Sequence, residues 1–265
     1  MYDFHIHSHF SSDSTFPMHI YAGKAIELGL KGICFTDHVD PDYASSEISF
    51  DFSYEDYMNE LIGVRASFCD EIQIFSGMEL GMQPHNLADS AAALKDKSFD
   101  FIIGSIHCVS RKDMYDGSFI KGITINEGIM HYFKDMLYCL DNFNDFDVLG
   151  HLDGIRRYIG NNEDKFSYSL YKGLIHDILY RLINSYKGIE INTAGPRYGL
   201  SSIHPLPEIL KLYRFLGGEI ITIGSDSHSP DTLCYGHKDA LQLLSELGFR
   251  YYTIYKDRKP IFIKI

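Results

Sequence analysis

The chain has 265 residues, 45% of them hydrophobic, with 36 Asp and Glu against 24 Lys and Arg for a formal net charge of −12. That apolar share suits a globular protein with a substantial core, and the acidic balance argues against a non-specific grip on nucleic acid, which needs basic surface. No apolar run reaches the length of a membrane span, and no basic stretch precedes an apolar one at the N-terminus, so neither a span nor a leader is expected. The five cysteines (Cys34, Cys69, Cys108, Cys139, Cys234) are scattered and form no CxxC pair. They support no zinc ribbon or disulfide framework, and a reducing, cytoplasmic setting is expected.

A short apolar, β-branched run, a polar turn and a helical pattern recur along the chain. The first run is "YDFHI" (2–6), followed by the helical pattern "HIYAGKAIELGL" (19–30), with Gly29 placed as its terminator. "KGICFT" (31–36) leads into the helical "YEDYMNELIGVRASFC" (54–69). "IQIFSG" (72–77), "DFIIGSI" (100–106) and "FDVLGH" (146–151) are the next strand-like runs. The helical "LYKGLIHDILYRLINSY" (170–186) then precedes "GIEINT" (188–193). Gly217 marks a helix end before "EIITIGS" (219–225), and Gly248 ends the helical "KDALQLLSELG" (238–248). "YYTIYKD" (251–257) reads as one further strand.

Continuous apolar runs suit a parallel sheet covered on both faces, and their alternation with helices implies right-handed βαβ units. Seven or eight units fit a closed α/β barrel better than an open doubly wound sheet. No Pro/Gly/Ser-rich linker divides residues 1–265, so a single domain is expected. Neither GxGxxG nor a Walker-type lysine motif follows any run, which argues against a dinucleotide or nucleoside-triphosphate enzyme.

Ligand-type side chains collect at the C-terminal ends of the runs. His5 and His7 end the first, Asp37 and His38 the second, and Glu79 follows the third. His107 ends the fourth, His151 and Asp153 the fifth, Glu190 and Asn192 lie in the sixth, and Asp226 and His228 end the seventh. In α/β barrels the active site is built from those ends. Residues two apart in a strand point to one side, so the 5/7 and 226/228 pairs can each aim two ligands into one cavity. Imidazole with carboxylate suits Zn²⁺, Mn²⁺ or Fe²⁺. The ligands outnumber what one ion uses, so two ions are the minimum and three are plausible, with Glu79 able to bridge. His19, His85, His131, His176, His204 and His237 read as surface or helix residues, and His9 stays unassigned.

The order HxH, "DH", a lone Glu, "SIH", "GHLD" and "SDSH" resembles the polymerase and histidinol phosphatase (PHP) superfamily along nearly the whole chain. "HIHSHFSSDS", "ICFTDH" and the length look most like its stand-alone histidinol-phosphate phosphatases. The resemblance implies a distorted (β/α)7 barrel and a trinuclear site. One ion would be held by His5, His7, Glu79 and Asp226. A second would share Glu79 and add His107 and His151, and a third would use Asp13, His38 and His228. Asp13 stands where other branches often have His, so the third site should be harder and bind more weakly. Asp37 would orient a ligand ring through a hydrogen bond.

The implied reaction is hydrolysis of a small phosphate monoester, L-histidinol phosphate to L-histidinol in histidine biosynthesis, by a hydroxide bridging the first two ions, with the third drawing charge from a phosphate oxygen. Asp153 or a metal-bound water would protonate the leaving alcohol. Phosphate recognition calls for arginine. "GHLDGIRRY" and "EINTAGPRYG" supply Arg157 and Arg197 for it by resemblance, with Arg156 turned outward at a helix start.

Other readings stay open. Another phosphoesterase of the superfamily would act on protein phosphotyrosine, a nucleotide or a nucleic-acid end. A metal-dependent amidohydrolase also uses HxH, but usually carries a metal-bridging lysine where Glu79 and His107 stand here. A non-catalytic metal-binding scaffold would have lost ligands, and none is missing from the pattern.

Overall fold

The computed structural model describes residues 1–45, 47–159 and 166–265. Seven strands run parallel as neighbours: β1 (Tyr2–Ile6), β2 (Gly32–Phe35), β4 (Gln73–Gly81), β5 (Phe101–Ser105), β8 (Val148–Leu149), β9 (Gly188–Asn192) and β10 (Ile221–Gly224). A two-residue strand, β3 (His38–Val39), pairs with the outer half of β4 and sets His38 opposite Glu79. Beyond β10 the chain returns to β1: Asp226 N–H donates to His5 O (2.9 Å) and His7 N–H to Ser227 O (2.9 Å). These bonds bring the last strand against the first, giving the nearly closed barrel of seven strands expected from the runs.

The helices between strands are α1 (Met18–Glu27), α2 (Tyr54–Ser67), α3 (Leu87–Leu94), α4 (Ile125–Asn142), α5 (Tyr168–Asn184), α6 (Pro207–Phe215) and α7 (His237–Glu246). Each buries one apolar stripe. In α4 it is Ile129, Tyr132, Phe133 and Met136, and in α5 Tyr171, Ile175, Ile178 and Leu182, spaced three and four apart as an amphipathic helix requires. Helix α4 starts at a capping box, in which Thr124 accepts from Glu127 N–H and the Glu127 side chain accepts from Thr124 N–H.

Two antiparallel hairpins lie outside the barrel sheet. The first joins β6 (Cys108–Val109) to β7 (Lys112–Asp113) just past β5. The second joins β11 (Tyr251–Lys256) to β12 (Lys259–Lys264), so the single last strand expected from 251–257 is one arm of a hairpin. Both turn through two residues with positive φ, Ser110 and Arg111 in one and Asp257 and Arg258 in the other. Left-handed pairs of this kind match the twist of the flanking strands.

The second hairpin covers the N-terminal end of the barrel. Its Asp257 N–H donates to Asp100 Oδ1 (3.1 Å) and its Arg258 Nε to Asp147 Oδ2 (2.6 Å), on the residues that immediately precede β5 and β8. Tyr255 stacks on Phe101 with centroids 5.1 Å apart, and Phe101 meets Phe4 of β1 at 5.4 Å. Strands β1 and β5 are not neighbours, so the Phe4–Phe101 contact crosses the barrel interior. An aromatic layer therefore fills the floor and leaves the opposite end for ligands.

Some interior positions of the upper layer are glycine because a side chain would collide. A Cβ on Gly224 would lie 2.2 Å from the Cβ of His5 and 2.5 Å from Glu190 Oε1. One on Gly150 would lie 2.5 Å from Ser105 Oγ.

Asp100 ties floor to wall: it accepts from Ser76 N–H (2.9 Å), Arg65 Nη2 (2.6 Å) and the hairpin tip. Its loss leaves buried donors and an arginine without their acceptor. Asp100→Ala is expected to lower stability by about 2–4 kcal/mol, measured by denaturant unfolding against the parent chain.

Candidate metal centre

The sequence pattern places its acids and imidazoles at one mouth, and the barrel brings them together. His5 lies within β1 and His7 just past it, while His38 is in β3 and Glu79 inside β4, two residues before its end. His107 follows β5, His151 follows β8, and Asp226 and His228 follow β10. Asp13 enters from the loop after β1. Asp226 adopts a positive φ of 55°, a conformation that Asp tolerates better than most residues.

Glu79 is the hub. It is only 1% exposed. Its Oε1 lies 3.2 Å from His107 Nε2 and 2.9 Å from His151 Nε2, and accepts from Ser105 Oγ (2.6 Å). Its Oε2 lies 3.1 Å from His5 Nε2, 3.4 Å from His7 Nε2 and 3.1 Å from His38 Nδ1. Asp226 Oδ1 faces His7 Nε2 (3.5 Å), His228 Nδ1 (3.7 Å) and His5 Nε2 (3.8 Å). Asp13 Oδ2 lies 3.1 Å from His228 Nε2 and 3.7 Å from His38 Nε2. The ring of His7 stacks between those of His38 and His228, each 4.2 Å away.

These side chains fit cations better than they fit one another. Among the described residues His7 Nε2 is buried with no hydrogen-bond partner, and so is His38 Nδ1, which faces Glu79 without hydrogen-bond geometry. Stacked imidazoles pointing free nitrogens at carboxylates are poorly satisfied unless something with positive charge stands between them. Three sets of donor atoms lie close enough to share an ion: His5, His7 and Glu79; His38, Glu79 and His107; and His7, His38 and His228. The donors are borderline nitrogen and hard oxygen, with no thiolate, which suits Zn²⁺, Mn²⁺ or Fe²⁺.

Charge follows from the same contacts. Burial works against charge on His5, but Glu190, Glu79 and Asp226 outweigh it and raise this imidazole well above its ordinary range. His107 behaves likewise beside Asp40 and Glu79. Burial, with His228 and His38 nearby, instead holds His7 well below that range and keeps its ring neutral. Burial opposes ionisation of Glu79 and Asp226, yet both are held well below the carboxylate range. His5, His38 and His107 do this for Glu79, and Arg157 and His5 for Asp226.

Carboxylates behind the ligands hold the rings in place. Glu190 Oε1 meets His5 Nδ1 at 2.5 Å, and its Oε2 accepts from His151 N–H (2.9 Å). Asp40 Oδ1 meets His107 Nδ1 at 2.8 Å. The sequence alone does not single out Asp40 and assigns Glu190 no role. The available signal was Asp40's place two residues beyond His38, on the same side. Asp37 orients a ring only through an intermediary: it accepts from Ser8 and Ser11, and Ser11 Oγ bonds His7 Nδ1 (3.0 Å). Burial pushes the Asp37 carboxyl up to about 6 against those hydrogen bonds.

A model of the PHP domain matches residues 3–194, which is most of the chain and includes the candidate ligands from His5 to His151. The chain belongs to the PHP family. Histidinol-phosphatase of Lactococcus lactis is 30% identical over 253 residues, covering 93% of this PHP chain and 91% of the relative. A protein named probable histidinol-phosphatase from Clostridium acetobutylicum is 32% identical over 255 residues, covering 94% and 95%. The crystal structure of the L. lactis histidinol phosphate phosphatase, complexed with zinc, L-histidinol and phosphate, superposes with a TM-score of 0.89 over 98% of both chains.

The PHP barrel also corrects several expectations. Arg156 does not turn outward. It is 1% exposed and donates to Asp153 Oδ2 (3.2 Å) and Ser202 Oγ (2.9 Å). Asp153 is unsuited to protonate a leaving group. It is buried, binds His204 Nδ1 (2.6 Å) and Leu206 N–H (2.9 Å), and is held below the carboxylate range by His204 and Arg156 despite its burial. His204, expected at the surface or in a helix, is buried and bridges to Asn192 outside any helix. His237 does begin α7 but is buried, and His9 pairs with Glu60 (3.3 Å) away from the cluster.

The arginines divide. Arg157 lines the cavity, donates to Asp226 Oδ2 (2.8 Å) and Asn192 Oδ1 (2.9 Å), and packs on the ring of Tyr198. Arg197 instead donates to the carbonyls of Ser225 and Asp226 and is not part of the cavity wall.

Two outcomes follow for the metal. Glu190→Gln removes the charge that fixes His5 and is expected to weaken Zn²⁺ binding about 10–100-fold, read by competition with a chelating dye. In the cation-free protein His5 and His107 keep protons above pH 6.5, the ordinary imidazole value, and an ion must displace them. Zn²⁺ affinity should therefore rise with pH above that value, with proton release measurable by calorimetry in buffers of different ionisation heat.

Proposed function

We propose that the chain is a metal-dependent phosphatase hydrolysing L-histidinol phosphate to L-histidinol and phosphate. The observation that carries this reading is the convergence of imidazoles from the ends of β1, β3, β5, β8 and β10 on Glu79 and Asp226, with Arg157 beside them. The L. lactis relative with zinc, histidinol and phosphate at TM-score 0.89 supports the substrate.

His5, His7, Glu79 and Asp226 would hold one cation, Glu79 with His107 and His151 a second, and Asp13, His38 and His228 a third. Divalent cations in such a centre supply an acidified water at neutral pH and neutralise charge on the phosphoryl group.

The chain's own residues do the rest. Glu79 turns Oε1 to His107 and His151 and Oε2 to His5, His7 and His38, so it would serve as a ligand to more than one cation. Asp226 turns Oδ1 to the imidazoles and Oδ2 to Arg157, which couples the guanidinium to the ligand set. Among the described residues Arg157 is braced by Asn192 and Asp226 through Nη2, which leaves the Nη1 donors for a phosphate oxygen, and by His204 Nε2, which accepts from its Nε (3.3 Å). That contact requires an unprotonated Nε2, so His204 is neutral and gives its Nδ1 proton to Asp153. Burial, only partly offset by Asp153, keeps the imidazole at about 4. Arg197 fixes the Ser225–Asp226 carbonyls and so the position of Asp226.

Phosphate release should be measured from histidinol phosphate, p-nitrophenyl phosphate, phosphotyrosine and nucleotides with Mn²⁺ or Zn²⁺ added. Histidinol phosphate is expected to give the highest kcat/KM, and equal weak rates on all four would sink the assignment. His7→Ala and Asp226→Ala should each lower kcat by about a hundred-fold or more. Arg157→Lys should lower kcat/KM by about ten-fold or more, because an ammonium cannot keep the contacts to Asn192, Asp226 and His204 and still donate to phosphate.

A further inference from the structure

A cavity of about 620 Å³ opens over the ligand cluster. Among the described residues four carboxylates line it: Asp13, Glu79, Asp226 and Asp113. The first three belong to the metal centre. Asp113 does not: Asp13, Glu79 and Asp226 each face imidazoles of the cluster, whereas among the described residues Asp113 pairs with none of them and is held instead by Tyr43 and the Tyr115 N–H. A surplus anion beside a phosphate site repels the substrate, at a cost that grows in a partly buried cavity. It becomes favourable only opposite a cation.

The position of Asp113 is built. It is 7% exposed and lies on β7, paired with Cys108, the residue after the ligand His107. Its Oδ1 accepts from Tyr43 Oη (2.8 Å) and from Tyr115 N–H (2.7 Å). Among the described residues no hydrogen bond is made to Oδ2. A line of rings leads to it from the metal centre: His38 lies 4.8 Å from Phe50, and Phe50 lies 4.9 Å edge-on to Tyr43. The Tyr43 hydroxyl, pushed up by burial and by Asp113, stays a donor across the working pH range. Aromatic walls ending in one carboxylate are the surroundings an organic cation selects, through the ring faces and the ion pair together.

We propose that Asp113, with Tyr43 and Phe50, forms the subsite that binds the cationic end of the leaving group, while phosphate sits at the metal centre. The proposal deepens the phosphatase reading and rests on it. It makes Asp113 a specificity residue, selecting amine-bearing monoesters over neutral ones.

Asp113→Asn keeps the shape and the acceptor for Tyr43 and Tyr115 and removes only the charge. The ratio of kcat/KM for histidinol phosphate to that for p-nitrophenyl phosphate is expected to fall about ten-fold or more, mainly through KM. In calorimetric titrations, L-histidinol should lose affinity by a similar factor relative to inorganic phosphate. A ratio within about two-fold of the parent, or both substrates falling together, would mean that Asp113 only braces the hairpin and would overturn the subsite. If the parent chain fails on histidinol phosphate, the substrate assignment falls by itself. Asp113 is then judged by O-phosphoethanolamine against glycerol 3-phosphate, where a preserved ratio overturns the subsite and a ten-fold loss, roughly, upholds it.

Discussion

A single buried carboxylate organises this molecule. Glu79 sits deep in the longest barrel strand, and five imidazoles from four other segments approach its two oxygens. An isolated ion there would be prohibitively costly to bury. It is tolerated because each oxygen is surrounded by nitrogen donors, and those donors are tolerated because of the carboxylate. The requirement runs outward: Glu190 and Asp40 hold the far nitrogens of His5 and His107, and Ser11 holds His7. The strand ends must meet at one height for this to work. That height is set by the parallel register, in which Glu79 pairs with His38 on one side and Ile103 on the other.

Most of this centre was legible in the sequence because a ligand at a strand end announces itself twice, by its chemistry and by its place after an apolar run. His5, His38, His107, His151 and Asp226 all satisfy both conditions. Asp40 and Glu190 satisfy only the first, since an acid that braces a ring looks like any other acid until distances are known. Arg156 and Arg157 are neighbours on one turn of 3-10 helix, so their opposite fates depend on local twist that residue types do not encode. His204 lies in an irregular stretch after β9, where no periodicity reports on burial.

The fold was read in outline for similar reasons. Strands with continuous apolar runs stood out, whereas β12 did not. It contains Pro260, which ordinarily argues against a strand, and it is tolerated here in a two-stranded hairpin outside the barrel. Helix α4 went unread although "TINE" before it is a capping box, a signal in the residues themselves. The hairpin at the floor explains why the runs suggested seven or eight units: the chain after β10 adds no eighth barrel strand and instead seals the end away from the chemistry. None of the described helices is long and apolar enough to cross a membrane.

The glycines at 150 and 224 give the neighbouring polar side chains their room. A barrel interior is normally filled by layers of side chains, and here two positions contribute none to the upper layer, which leaves their places to others. The room that a Cβ would take is occupied by His5, Ser105 and Glu190. Catalytic capacity in this protein is therefore partly made by omission. A single added methyl group at either position would bring no new chemistry and touch no substrate, yet would displace the very groups that the chemistry needs. Residues of this kind escape any inventory of what binds or reacts, and they are as much a part of the active site as the histidines they make room for.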